Sequence, residues 1–154
     1  MKDTPKEARI RARMKAGIIT LNGFLGKDKR PLNEIIAQDE NELNALGYTA
    51  EQLADRMQQF TDASFNSFEG MVVIDDVYEV ETQVTRGKLP CPFIHNGMYR
   101  KTITTLKNIK NNVSVKWTSL NIHLIREHHF FEGQDSGFRL EPAALVKALF
   151  GDKS

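Results

Sequence analysis

At 154 residues, 40% of them hydrophobic and 27% charged, the chain has the balance of one globular domain able to bury roughly 70% of its unfolded surface. No apolar run approaches the about 20 residues needed to cross a bilayer, and the basic stretch 1–15 lacks the apolar segment of a secretory signal. A lone cysteine, Cys91, cannot form an intrachain disulfide, so the expected setting is the reducing cytoplasm.

The net charge of +1 hides strong segregation. Residues 1–30 carry nine basic and three acidic side chains, 31–85 one basic and twelve acidic, and 86–130 eight basic and one acidic. Such asymmetry marks either a polyanion-binding face or two segments that attract one another on folding.

Thr4-Pro5-Lys6-Glu7 supplies an N-cap, a first-turn proline and a capping-box acid. It predicts a helix with Ile10, Met14 and Ile18 on one face, ending at Gly17 or at Asn22-Gly23. A loop over 26–30 follows. Pro31 opens a second helix with Leu32, Ile35, Ile36, Leu43 and Leu46 as its apolar face, stopped by Gly47. Thr49 and Gln52 form another capping box before Leu53, Met57 and Phe60, so the two helices are expected as an antiparallel hairpin with a solvated acidic face.

After Gly70 the period changes. Residues 71–74 form a short apolar run, and Tyr78, Val80, Thr82 and Val84 alternate with polar residues as in a half-buried strand. Segments 98–106 and 113–117 read as two more strands joined through Asn111-Asn112. Thr118 or Ser119 caps a helix to about His128, 133–137 is a loop, and Pro142 begins a last short helix. The expected fold is α+β, a single domain of N-terminal helices packed on a small antiparallel sheet that a later helix covers. Its core should include Leu43, Leu46, Leu53, Met57, Val80, Val84, Ile103, Val115, Leu124 and Ile125.

One constellation carries chemistry. Cys91, His95, His123 and His128 fall in the order C-x3-H, x27, H-x4-H, with a predicted hairpin between the pairs. Zinc takes four tetrahedral ligands from thiolate and imidazole, and a turn and a helix can each supply two. In this stretch, 91–128, the chain resembles a two-Cys, two-His ββα zinc finger, with His95 where the second cysteine would stand. The resemblance implies a zinc-finger-like ββα unit with structural zinc. As a whole the chain resembles bacterial proteins that bring no function to carry over. It departs from the finger pattern in a connection about twice as long and in a first pair with three intervening residues. His123 and His128 also sit ~140° apart on a regular helix, so they converge only if the last turn tightens or unwinds. Glu127 is a substitute ligand. The competing reading makes Cys91 a small buried residue, His128 a hydrogen-bonded core histidine, and His95 and His129 loop or surface groups.

The functional expectation is a small non-catalytic binding or regulatory protein with one structural zinc, contacting nucleic acid or an acidic protein surface. Arg86, Lys88, Arg100, Lys101, Lys107, Lys110, Lys116 and Arg126 fall on or beside the hairpin and helix, and Tyr99 and Trp117 offer stacking faces. A sequence pI of 7.9 is low for a dedicated nucleic-acid domain. The catalytic alternative is a metal-dependent hydrolase or nuclease using His95, His123 and His128 around an open metal position. A Cys91-centred nucleophile lacks an activating helix N-terminus, and the His-Asn-His nuclease pattern lacks its paired residues at the first strand. A third possibility is a metal-free adaptor built on the acidic helices.

Overall fold

A computed structural model describes residues 3–65 and 70–151. Helix α1, Pro5–Arg13, is capped as its sequence dictates: the Glu7 amide donates to Thr4 Oγ1 at 3.1 Å and the Thr4 amide donates to Glu7 at 3.0 Å. It stops at Met14, short of the expected end at Gly17 or Asn22-Gly23, and Gly17, just beyond it, takes a left-handed φ of +84°. Ile18, expected on the buried face, therefore lies 63% exposed in the loop that follows.

Helix α2, Leu32–Ala45, has no capping side chain of its own. Asp3, 29 residues away, accepts from the Leu32 amide at 2.7 Å. Helix α3, Ala50–Phe65, opens on the Thr49–Gln52 capping box. The sheet is an antiparallel meander in the order β1 (Val72–Ile74), β2 (Tyr78–Pro90), β3 (Met98–Asn108), β4 (Val113–Thr118). Asp75 and Asp76, both at positive φ, turn β1 into β2, and Asn112 (φ 59°) turns β3 into β4. Thr118, rather than Ser119, caps helix α4, Ser119–His128, and the chain closes with α5, Pro142–Phe150.

Two apolar clusters result. In the first, Val80, Leu106 and Trp117 on one sheet face pack against Leu53, Met57 and Phe60 of α3 and Leu145 and Leu149 of α5. Its polar members satisfy one another: Trp117 Nε1 donates to Thr61 Oγ1 at 2.9 Å, and Thr61, Thr104, Thr82 and Ser64 form a hydroxyl chain with spacings of 2.9, 2.8 and 2.6 Å. The second cluster joins Ile10, Met14, Phe24, Leu32, Ile35 and Cys91 to Leu120, Leu124 and Phe130. Helix α4 lies between the two, giving Ile122 and Ile125 to the first and Leu120 and Leu124 to the second.

Three sequence expectations change in this packing. Helices α2 and α3 do not form a close hairpin; α2 packs chiefly on α5 and α1, and α3 on α4 and β2, because α2 divides its apolar residues between the two clusters. Val84 is 57% exposed: α3 ends near the Ser64–Thr82 hydrogen bond, and β2 runs past the helix that would cover it. Leu46, Ile103 and Val115 are half-buried; the other expected core residues are buried. The acidic face is also not wholly solvated, since Asp39 is buried and paired with Arg139.

Loops 24–28 and 132–139 lock together below the sheet. A Cβ at Gly26 would come within 2.4 Å of the Gln134 carbonyl, and one at Gly133 within 2.3 Å of that of Leu25. Glu132, at φ 68°, is buried beside them; it accepts from Asn121 Nδ2 at 2.7 Å and from Ser136 Oγ. Burial pushes its carboxyl up to about 7, against the downward pull of Ser136, Asn121 and Arg139. The folded chain thus holds this proton more tightly than the unfolded one. The corresponding stability is present in full below the ordinary value of 4.5 and is lost as pH rises through about 7. Urea midpoints should show it: Glu132→Gln should gain on the parent steadily between pH 5 and pH 8, and a constant difference would contradict the assignment.

Candidate metal centre

Strand β2 ends at Pro90, and the connection to β3 delivers Cys91 and His95; α4 delivers His123 and His128. One donor atom from each of the four lies within 4.8 Å of every other, so the group can hold a metal ion. His95 Nε2 stands 3.0 Å from His123 Nε2 and 3.2 Å from His128 Nε2. Nitrogens bound tetrahedrally at zinc distances of about 2.0–2.1 Å would be roughly 3.3 Å apart. His95 therefore already stands from both helix imidazoles at the spacing of a shared cation.

Convergence does not require the end of α4 to unwind, as the angular argument expected. The helix is regular through His128 and closes only afterwards: His129 is left-handed, and the Phe130 amide donates to the Leu124 carbonyl at 3.1 Å. The two rings lean inward from either side of the helix toward the loop, and each is braced by an aromatic ring. Phe93 stacks on His128 at 3.9 Å between centroids, and Tyr99 stacks on His123 at 4.2 Å. Glu127, the substitute ligand in the sequence reading, is outside the cluster.

Tautomer and charge state also suit metal binding. His95 Nδ1 lies 2.7 Å from the Asn96 carbonyl; a proton on Nδ1 satisfies that oxygen and leaves Nε2 as the free lone pair. Burial, then the neighbouring histidines, pushes His128 down to about 4, and burial followed by His95 lowers His123. Both are driven toward the neutral, ligating form. Burial pushes the fully enclosed Cys91 thiol up to about 11, which gives no support to a free nucleophile; a bound cation would reverse that preference by charge.

Arg13 is the residue the sequence reading missed. Its guanidinium donates to the Cys91 carbonyl at 2.7 Å and the Pro92 carbonyl at 2.9 Å, pinning the ligand loop to α1 across 78 positions. Nothing in the sequence distinguishes it from Arg9 and Arg11 on the same basic helix.

The basic residues divide. Arg86, Lys88, Arg100 and Lys101 gather around the irregularity between Thr85 and Lys88, where Lys88 pairs with Arg100 and Thr85 with Lys101. Arg126 is instead paired with Asp55, and Lys116 lies over the Phe138 ring farther along β4. Lys107 and Lys110 sit at the far end of β3 and in the turn after it. Neither expected stacking ring is free: Trp117 is fully buried, and Tyr99 is committed to His123, its hydroxyl 3.2 Å from Nε2.

Arg13→Met keeps an unbranched apolar stem and removes both charge-assisted hydrogen bonds, each worth about 1.5–3 kcal/mol. Thermal unfolding should fall by several degrees at the about 2–4 °C per kcal/mol expected for this size. An unchanged melting temperature would show that the loop holds its place without Arg13.

No family model matches the chain, and no significant match was found among curated proteins or solved structures. The likeness of 91–128 to a zinc finger accordingly rests on the donor arrangement itself.

Proposed function

We propose that the protein is a small non-catalytic binding protein whose fold is clamped by one structural zinc held by Cys91, His95, His123 and His128. The carrying observation is the mutual approach of four donor atoms, one sulfur and three nitrogens, within 4.8 Å. Four protein ligands satisfy tetrahedral zinc and leave no position for water, which is the structural pattern. Zinc suits the donor set because it accepts thiolate and imidazole together. The clamp ties the β2–β3 connection to α4 and so closes the second apolar cluster over Cys91. The cationic group Arg86, Lys88, Arg100 and Lys101 is the surface through which the protein engages an anionic partner.

A second reading draws on a separate feature, the tight trio of imidazoles around an exposed His95. Three histidines with the fourth position open would make a hydrolytic zinc that activates water. It requires Cys91 to stay out of the coordination shell.

Protein purified without an affinity tag should contain stoichiometric zinc by elemental analysis. Cobalt substituted for it should give a thiolate charge-transfer band that disappears in Cys91→Ser. Because small structural sites contribute on the order of 10 kcal/mol to folding, Cys91→Ser and His123→Ala should each lower the melting temperature sharply. Unchanged melting in both variants, or no metal, would defeat the proposal. Cobalt without the thiolate band, together with metal-dependent hydrolysis of an activated phosphodiester, would favour the three-histidine reading.

A further inference from the structure

Between one end of the sheet and the loops 20–24 and 132–138 lies a cavity of about 230 Å³. Its walls are largely apolar, formed by Leu21, Phe24, Leu89, Ile103, Leu120 and Phe138. They are also preformed. The Gly133 amide donates to the Phe24 carbonyl at 2.9 Å, and the close approaches at Gly26 and Gly133 leave the two loops no room to slide. At the rim, Leu21 is 85% exposed, an apolar side chain that a bound apolar molecule would cover.

Charge at this cavity is one-sided. Arg100 and Lys101 are part of its lining, and Arg86 and Lys88 stand beside Arg100 in the adjoining depression. None of the four has a carboxylate partner among the described residues. The acid in the lining, Glu132, has each carboxyl oxygen engaged by Asn121 or Ser136. Arg100 turns to the other sheet face, over the Phe65 ring, so Lys101 is the cation on the cavity's own face beside Thr85 and Ile103. An unpaired lysine there favours an anion, and the apolar volume behind it favours a ligand that is mostly hydrocarbon.

We propose that this cavity binds a small organic anion with an apolar body, of the class of medium-chain or aryl carboxylates. The hydrocarbon fills the space under Leu21 and Phe138, and the carboxylate meets Lys101. An apolar cavity of about 150 Å³ holds benzene, so 230 Å³ has room for an aryl ring with a short chain, or a chain of about eight carbons. A nucleic acid fits less well: it calls for cations tracking a groove and for free aromatic faces, and Trp117 and Tyr99 are both engaged elsewhere. The ligand class rests on the anion-binding reading of the cationic group and is independent of the metal.

Calorimetric titration of the full chain with sodium octanoate, 1-octanol, octylamine and an oligothymidylate tests it. Octanoate should bind saturably, octanol about tenfold more weakly, and octylamine not at all. Lys101→Glu, at an exposed side chain, should weaken octanoate by about tenfold or more and leave octanol unchanged. Ile103→Trp should fill the cavity and abolish both, and Lys101→Glu still decides the matter if that variant fails to fold. Octanoate binding no tighter than octylamine, insensitive to Lys101→Glu, or absent would overturn the proposal. Absence of octanoate binding together with Lys101-dependent oligothymidylate binding would retain the cationic surface as an anion site and reject the cavity ligand. Failure of both ligands would remove the anion-binding reading as well.

Discussion

Helix α4 has to satisfy two apolar clusters and a polar centre at once, and the position of everything else follows from that. Ile122 and Ile125 face the sheet and α3, Leu120 and Leu124 face α1 and the loop after it, and His123 and His128 emerge between those faces. A helix buried on two sides has little rotational freedom, since turning it by even part of a residue would expose one apolar set. The Thr118 capping box fixes where it begins, and the left-handed His129 with the Phe130–Leu124 hydrogen bond fixes where it ends. The two histidines thus inherit their directions from hydrophobic packing.

The opposing loop is fixed by different means. Residues 91–97 contain no regular structure, yet Arg13 takes two of their carbonyls, Cys91 packs fully buried in the second cluster, and Phe93 stacks on His128. Bringing His95 within about hydrogen-bond distance of both His123 and His128 costs desolvation and, on protonation, mutual repulsion. The lowered basicity of His123 and His128 expresses both. A cation held by the four donors would replace that repulsion with attraction and offset the burial of Cys91 as a thiolate.

Charge segregation along the chain resolves into discrete pairs, several of which tie the acidic segment 31–85 to basic residues far along the chain. Arg139 bridges Asp39 and Glu141, Arg30 holds Asp28, and Arg126 meets Asp55. Two of these acids, Asp39 and Asp28, are buried, where loss of a partner would strand a charge. Four cations with no carboxylate partner among the described residues lie where β2 and β3 lose register, next to an apolar cavity.

Local chemistry determined much of the chain from the sequence alone. The Thr4, Thr49 and Thr118 caps, the alternation from Tyr78, the Asn112 turn and the last helix at Pro142 were all legible because each depends on residues only a few positions apart. The four donors were legible too, as uncommon residue types in a suggestive order. Their meeting was not, because His123 and His128 are badly phased on an isolated helix and converge only when a loop held by Arg13 and Phe93 is laid between them. Tertiary structure likewise decided that Trp117 belongs to the core, that Val84 does not, and that four of the eight basic residues gather where β2 and β3 lose register. Spacing along a chain encodes dihedral preference and periodicity, whereas contact between residues 78 positions apart depends on how whole elements bury their apolar faces.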